Sequence, residues 1–259
     1  MREYRARIVD EILRDKLEAK GAILIEGPKW CGKTTTALQV ANSVLRMDEP
    51  SKRESNLKMS EIDPSRILQG VTPRLIDEWQ IAPKIWDAVR YEVDCRGEEG
   101  QFILTGSAVP VETKEITHSG AGRFTWLTMR TMSLYESQES SGEVSLEDLF
   151  DSPDKISGSN AHDIDSLAFL ICRGGWPHAI GMKRKAALSQ AEDYFDAVVK
   201  SDINRADGVN KNPERVKRLM RSYARYQGAQ ITGTALRDDI FANETETISE
   251  DTVLSYVNA

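Results

Sequence analysis

The chain has 259 residues, of which 40% are hydrophobic and 29% charged, and its net charge is −7 at neutral pH. That length and apolar share can bury one sizeable core and a second, smaller one, so two domains are expected. The acidic balance excludes a surface that coats nucleic acid throughout and leaves room only for a local basic face.

Met1 to Lys20 mixes charges of both signs with single apolar residues, which fits neither a signal peptide nor a transit peptide. The longest later apolar run, Leu167 to Cys172, is far too short to span a bilayer. Cys31, Cys95 and Cys172 lie far apart, and neither they nor His118, His162 and His178 show CxxC or HxxxH spacing. A reducing cytoplasm is the expected setting, without structural disulfides, zinc or membrane association.

Next comes ILIEGPKWCGKTTTAL, from Ile23 to Leu38. Ala22 to Ile25 is an apolar run of buried-strand type, and Glu26 to Cys31 is a turn containing glycine and proline. From Thr34 to Leu45, apolar residues (Ala37, Leu38, Val40, Ala41, Val44, Leu45) return at helical spacing. Inside this stretch Gly27, four residues, then Gly32, Lys33 and Thr34 make the P-loop spacing. The glycines let successive N–H groups turn inward, where they and the positive end of the following helix meet phosphate oxygens. Lys33 is placed for the β and γ phosphates and the Thr34 hydroxyl for Mg²⁺. Gly27, Pro28, Lys29, Trp30, Cys31, Gly32, Lys33, Thr34 and Thr35 are the candidate nucleotide-binding set. Lys29 and Trp30 have no individual role and are expected to face solvent or a neighbouring loop.

In PRLIDEWQ, Leu75 and Ile76 lead into Asp77 and Glu78. A carboxylate at a strand's C-terminal end can hold Mg²⁺, as Asp77 would beside Thr34, while the next one, Glu78, polarises an attacking water. Alone, such a pair is more often a solvated strand end; the adjacent cradle gives it a chemical reading. Ile85, Trp86 and Val89 then mark one face of a helix from about Pro83 to Asp94, and QFILTGSA reads as a third buried strand ending in Thr105, Gly106 and Ser107. A hydroxyl there could sense the γ phosphate.

Residues 138–161 are rich in Ser, Gly and acids, with a short helical patch near Leu146 to Phe150, and read as a surface excursion. Helical spacing resumes from Ala186 to Lys200 and from Pro213 to Tyr226, with Val216, Leu219, Met220 and Tyr223 on one face of the second stretch. Lys183 to Arg225 holds eleven Lys/Arg and six acids. There Arg218, Arg221 and Arg225 share a helix side that could meet phosphates or an acidic partner, place a second sensor on ATP, or simply be solvated. Thr234 to Phe241, a polar turn, and a helix capped by Ser249 follow. Tyr226 to Ala259 carries one basic residue against six acids, a poor match for DNA.

Taken in order, EGPKWCGKTT, PRLIDEWQ, IWDAVR, GQFILTGSA, HSGAGRF, MSLYES and GGWP resemble the AAA+ type P-loop ATPases of a bacterial and archaeal family of predicted ATPases with a C-terminal domain of unknown function. The resemblance runs from about Arg5 to the end and is specific as a set. It implies that Asp77 and Glu78 are the Walker B pair, that Thr105 or Ser107 is the first sensor, and that Arg123 is either an arginine finger or a structural arginine paired with a carboxylate. RGGWPHAI resembles a glycine-x-proline element that some relatives set against the adenine, which would give Gly175, Trp176 and Pro177 a role in coupling nucleotide state to domain angle; otherwise it is an ordinary turn. The final helices resemble the opening of a winged helix without its two strands. The chain therefore reads as a fragment or early-terminated member whose residues after about Thr245 are poorly ordered or covered by another molecule.

The expected fold is α/β: a P-loop NTPase core of AAA+ type over residues 1–137, with a parallel sheet flanked by helices, the excursion at 138–161, and a mainly helical region with a partial winged-helix module at 162–259. The expected function is binding of ATP or ADP with Mg²⁺ and slow ATP hydrolysis used as a conformational switch. The alternatives are a scaffold that binds nucleotide without turning it over and, more distantly, a small-molecule kinase. A homo-oligomer or a protein client is the expected partner besides nucleotide, with nucleic acid only weakly supported.

Overall fold

The computed structural model describes residues 3–106, 120–203, 211–243 and 248–257. Ser107 and His118 lie outside them. The chain forms two compact units, Met1–Ala191 and Glu192–Ala259. The division falls inside a helix, Arg184–Ala197.

The first unit is built on five parallel strands: β1 (Ala22–Glu26), β2 (Ser43–Arg46), β3 (Arg74–Asp77), β4 (Phe102–Thr105) and β5 (Phe124–Thr128), in the spatial order β2-β3-β4-β1-β5. Strand side chains alternate faces, and the sheet sorts them accordingly. Leu24, Ile76, Leu104 and Phe124 point to a layer holding Ile85, Trp86, Val89 and Val93 of the helix Lys84–Arg96. Ile23, Ile25, Leu75, Ile103 and Leu127 point to the other, with Leu13 and Leu17 of the helix Val9–Ala19. The central strands are thus apolar on both faces, as a covered parallel sheet requires.

One element differs from the sequence expectation. The helix after the loop runs only from Lys33 to Ala37 and does not reach Leu45; Ser43–Arg46 is the edge strand β2. Three consecutive threonines are weak helix formers. Asn42 then leaves the turn, its backbone N–H donating to the Pro73 carbonyl at 2.8 Å and its side chain to that of Thr72 at 2.7 Å. Ser43 adds a bond to the Val71 carbonyl at 2.6 Å, and the next residues pair with β3 in register, Ser43 opposite Arg74 and Arg46 opposite Asp77.

In the 138–161 excursion, the helix Leu146–Asp151 is capped by Ser145, whose hydroxyl accepts from the Asp148 N–H at 3.0 Å. The helix Ile164–Arg173 follows, capped by Asp163.

The second unit packs the helices Pro213–Arg225, Gly233–Asn243 and Glu250–Val257 around Leu219, Leu236, Ile240, Ile248 and Val253. Among its described residues there is no strand. Within residues 248–257 the apolar side is covered in part by the unit itself: Val253 is fully buried and Ile248 nearly so, whereas Leu254 and Val257 remain exposed. On the helix Pro213–Arg225 the buried side carries Val216, Leu219 and Ser222, whereas Tyr223 is half exposed.

Candidate functional site

The sheet order sets the site. Strand β4 lies between β1 and β3, so the C-terminal ends of three adjacent strands bring together the loop after Glu26, Thr105 and Asp77. Such a carboxyl edge is where open α/β sheets hold ligands.

The loop turns on two glycines, Gly27 at φ 149° and Gly32 at φ 103°. A Cβ on Gly27 would stand 2.0 Å from the Met129 carbonyl oxygen, and that backbone is held by the Met129 N–H bonding Glu26 at 2.7 Å. No side chain fits there. Helix formation begins at once, the Thr36 N–H reaching the Gly32 carbonyl at 2.9 Å. The Lys33 ammonium lies across the loop, donating to the carbonyls of Gly27 and Pro28 at 2.8 and 2.9 Å. Burial pushes its pKa down, against the pull of Cys31, Glu78 and Asp77.

Asp77 is buried and its Oδ1 accepts two hydroxyls, from Thr34 at 2.9 Å and from Thr105 at 2.6 Å. Glu78 follows in a left-handed conformation, φ 56° and ψ 42°, which is costly for a residue with a side chain and recurs at functional sites. Its carboxylate accepts from the Gln80 side-chain amide at 2.5 Å.

An open cavity of about 2230 Å³ covers this edge. Lys29, Trp30, Gly32, Lys33, Thr34, Thr35 and Glu78 line it, as does Pro177. Gly175 and Trp176 are not in the lining: the Gly175 carbonyl accepts from the Met132 N–H at 2.7 Å, and a Cβ at Gly175 would stand 2.1 Å from the Met132 carbonyl oxygen. Cys31 is fully buried; its thiol faces the Met129 carbonyl, and burial raises its pKa.

Arg123 stands elsewhere. It precedes β5, whose first residue pairs with Ala22, so it sits at the N-terminal end of the sheet, about 16 Å along the strands from the loop at ~3.3 Å per residue. There its Nε donates to Asp94 at 2.7 Å. Within one chain Arg123 therefore stands beside a carboxylate and away from the loop. Likewise Arg225, on the expected arginine face, donates through Nε to Asp239 at 3.0 Å, and Asp239 also takes the Ser222 hydroxyl at 2.6 Å.

The sequence reading missed four residues beside the loop: Tyr4, Arg7, Gln80 and Glu136. Arg7 and Glu136 are separated by 129 positions and form a buried ion pair at 2.9 Å. Their only sequence signal was the presence of Glu136 in MSLYES. The Tyr4 hydroxyl donates to Asp10 at 2.6 Å and meets the Thr36 hydroxyl at 3.0 Å; burial, then the bond to Asp10, raises its pKa.

Residues 19–138 match the AAA domain family, and residues 164–259 match a domain of unknown function, DUF8612. No curated protein matches the sequence. Among solved structures, a Walker-type ATPase of Pyrococcus abyssi is similar at 14% identity and a TM-score of 0.51, covering 96% of this chain and 86% of that one. C. elegans PCH-2 is similar at 15% identity over 96% of this chain and 65% of that one, but its TM-score of 0.30 is too low to bear on the fold. Among the described residues no helix is long and apolar enough to cross a membrane. Residues 19–138 are thus similar to an AAA domain, on a fold of P-loop NTPase type, and residues 164–259 are similar to a domain of unknown function.

Proposed function

We propose that the protein binds ATP with Mg²⁺ at the Gly27–Thr35 loop and hydrolyses it slowly, using the turnover to switch its C-terminal part. The observation that carries this reading is the convergence of the Thr34 and Thr105 hydroxyls on one oxygen of Asp77, with Glu78 next in the chain and lining the same cavity. The donors suit the metal: Mg²⁺ prefers hard oxygens and needs few of them from protein when phosphate supplies others. Thr34 and Asp77 would hold it, and it would neutralise phosphate charge.

Each side chain then has a task. Lys33 exchanges the Gly27 and Pro28 carbonyls for phosphate oxygens, which lets a buried ammonium gain a stronger, charged partner. Thr105 holds Asp77 from the middle strand and is the sensor candidate; Ser107, the other one, lies outside the described residues. Glu78 accepts the proton of the attacking water. Pro177 borders the same cavity, which supports a link between nucleotide and the Gly175–Pro177 turn.

A second reading, nucleotide held without turnover, is favoured by the Gln80 amide on Glu78, which engages the carboxylate that hydrolysis needs. Phosphate release separates the two. On the ATPase reading, Lys33→Ala removes ATP binding. Glu78→Gln keeps binding and lowers turnover by about 10²–10⁴-fold, the usual weight of a general base. ATP retained by the wild type with no phosphate released would instead make it a scaffold.

A further inference from the structure

Arg7 is a buried cation just before the helix Val9–Ala19, its side chain 4% exposed and that of its partner Glu136 7%. Buried charges need partners, and both have several. Nε donates to Glu136 Oε1 at 2.9 Å, Nη1 to the Cys31 carbonyl at 2.9 Å and Nη2 to the Arg130 carbonyl at 2.8 Å. Glu136 is itself fixed, accepting from the Ile8 N–H at 2.8 Å and the Ser133 N–H at 2.7 Å. A guanidinium is a rigid planar fork, so these three acceptors are held in set directions.

One of them belongs to the phosphate loop. Across a planar trans peptide the Cys31 carbonyl and the Gly32 N–H point in opposite directions, so pinning the carbonyl pins the N–H. Gly32, at φ 103°, otherwise has wide conformational freedom, and a loop that must order itself on binding loses affinity.

We propose that Arg7, oriented by Glu136, is a positioning residue of the phosphate site that presets the Cys31–Gly32 peptide for phosphate. This rests on the reading that the Gly27–Thr35 loop binds a nucleotide. Arg7 touches the loop's backbone rather than reacting atoms, so it contributes equally to ground-state and transition-state binding. Its loss raises KM and the dissociation constant and spares kcat.

The test uses the full chain with ADP and ATP, each with Mg²⁺, measuring dissociation constants by calorimetry, kcat and KM by phosphate release, and Tm. Arg7→Gln weakens ADP binding by about ten-fold and raises KM alike, with kcat within about two-fold. Arg7→Lys, which keeps the charge but not the fork, falls between. Glu136→Gln weakens binding in the same direction, and the double variant is no worse than Arg7→Gln, because the two act as one unit. Lys58→Gln, in an exposed pair with Glu54, leaves binding unchanged. If Arg7→Gln does not fold, Arg7→Lys and Glu136→Gln decide by the same comparison. A wild type that binds ADP beside variants that bind it equally, whatever their Tm, overturns this inference alone. A wild type that binds neither nucleotide overturns the nucleotide reading and this inference with it.

Discussion

The hydroxyl of Thr105, at the end of β4, donates to the carboxylate of Asp77, at the end of β3, at 2.6 Å, and the two residues are register partners in the sheet. Both are buried, so the bond forms in a poorly solvated place where an unpaired acceptor is expensive. Among the described residues, Asp77 Oδ1 is left with the Thr34 hydroxyl if Thr105 is removed. Thr105→Val, nearly equal in shape, should lower stability by about 1–3 kcal/mol. On the proposed reading it also lowers turnover by about ten-fold with little change in KM, since the bond orients a metal-site carboxylate rather than binding phosphate. Thr105→Ser, retaining the hydroxyl, should recover both. Denaturant titrations and phosphate release check this; a valine variant with unchanged turnover removes Thr105 from the mechanism.

Arg123 gives the opposite expectation. Its ion pair with Asp94 is partly exposed at both ends, and such pairs contribute about 0–1 kcal/mol. Arg123→Gln should therefore leave stability within about 1 kcal/mol and turnover within about two-fold. The measurement is phosphate release across a range of protein concentrations. A loss of activity that grows as subunits are concentrated would show that the residue serves a neighbour's site.

These two residues illustrate what the sequence could and could not reveal. The loop between Gly27 and Gly32, the strand ending at Asp77 and the strand ending at Thr105 were legible because each is a local pattern, an apolar run leading into polar or glycine residues. The two readings of Arg123 cannot be separated in the sequence, because its place depends on which end of β5 it occupies, and that follows from the pairing of Ala22 with Phe124, a relation between distant segments. Strand β2 was hidden for a similar reason. Val40, Ala41, Val44 and Leu45 fit a helical period, and only the docking of Ser43–Arg46 on β3 selects the extended form. Arg7 and Glu136 leave no local trace of their pairing, since both are common surface residues until the fold buries them.

Acid should weaken that pair in a definable window. Burial alone would raise the Glu136 carboxyl, but the N–H groups of Ser133 and Ile8, together with Arg7, outweigh it and hold its pKa below the ordinary glutamate value. A carboxyl depressed in the folded state stabilises the fold above its unfolded pKa and loses that contribution as pH falls through the folded one. The stability gap between the wild type and Glu136→Gln should thus be full near neutrality and shrink below about pH 4.3, the unfolded glutamate value. Urea midpoints measured down that range test it. A gap that stays constant would mean that the charge on Glu136 contributes nothing.

The last prediction concerns the C-terminal helix Glu250–Val257. Its neighbour Ile240 is 1% exposed and packs in one cluster with Leu219, Leu236, Ile248 and Val253, whereas Leu254 on the last helix is 43% exposed. Deleting a buried aliphatic side chain loses its transfer free energy and leaves a cavity, together about 2–5 kcal/mol. Ile240→Ala should cost that much of the second unit's stability, and Val253→Ala should also destabilise it, by less because fewer atoms are lost. Leu254→Ala should stay within about 0.5 kcal/mol, as surface changes usually do. Hydrogen exchange over 213–257 reads these effects locally: Ile240→Ala and Val253→Ala should lower protection in all three helices together. If Val253→Ala leaves exchange in Pro213–Arg225 and Gly233–Asn243 untouched, the last helix is not part of their cooperative core, and the packing of Ile248 and Val253 contributes little to holding the unit together.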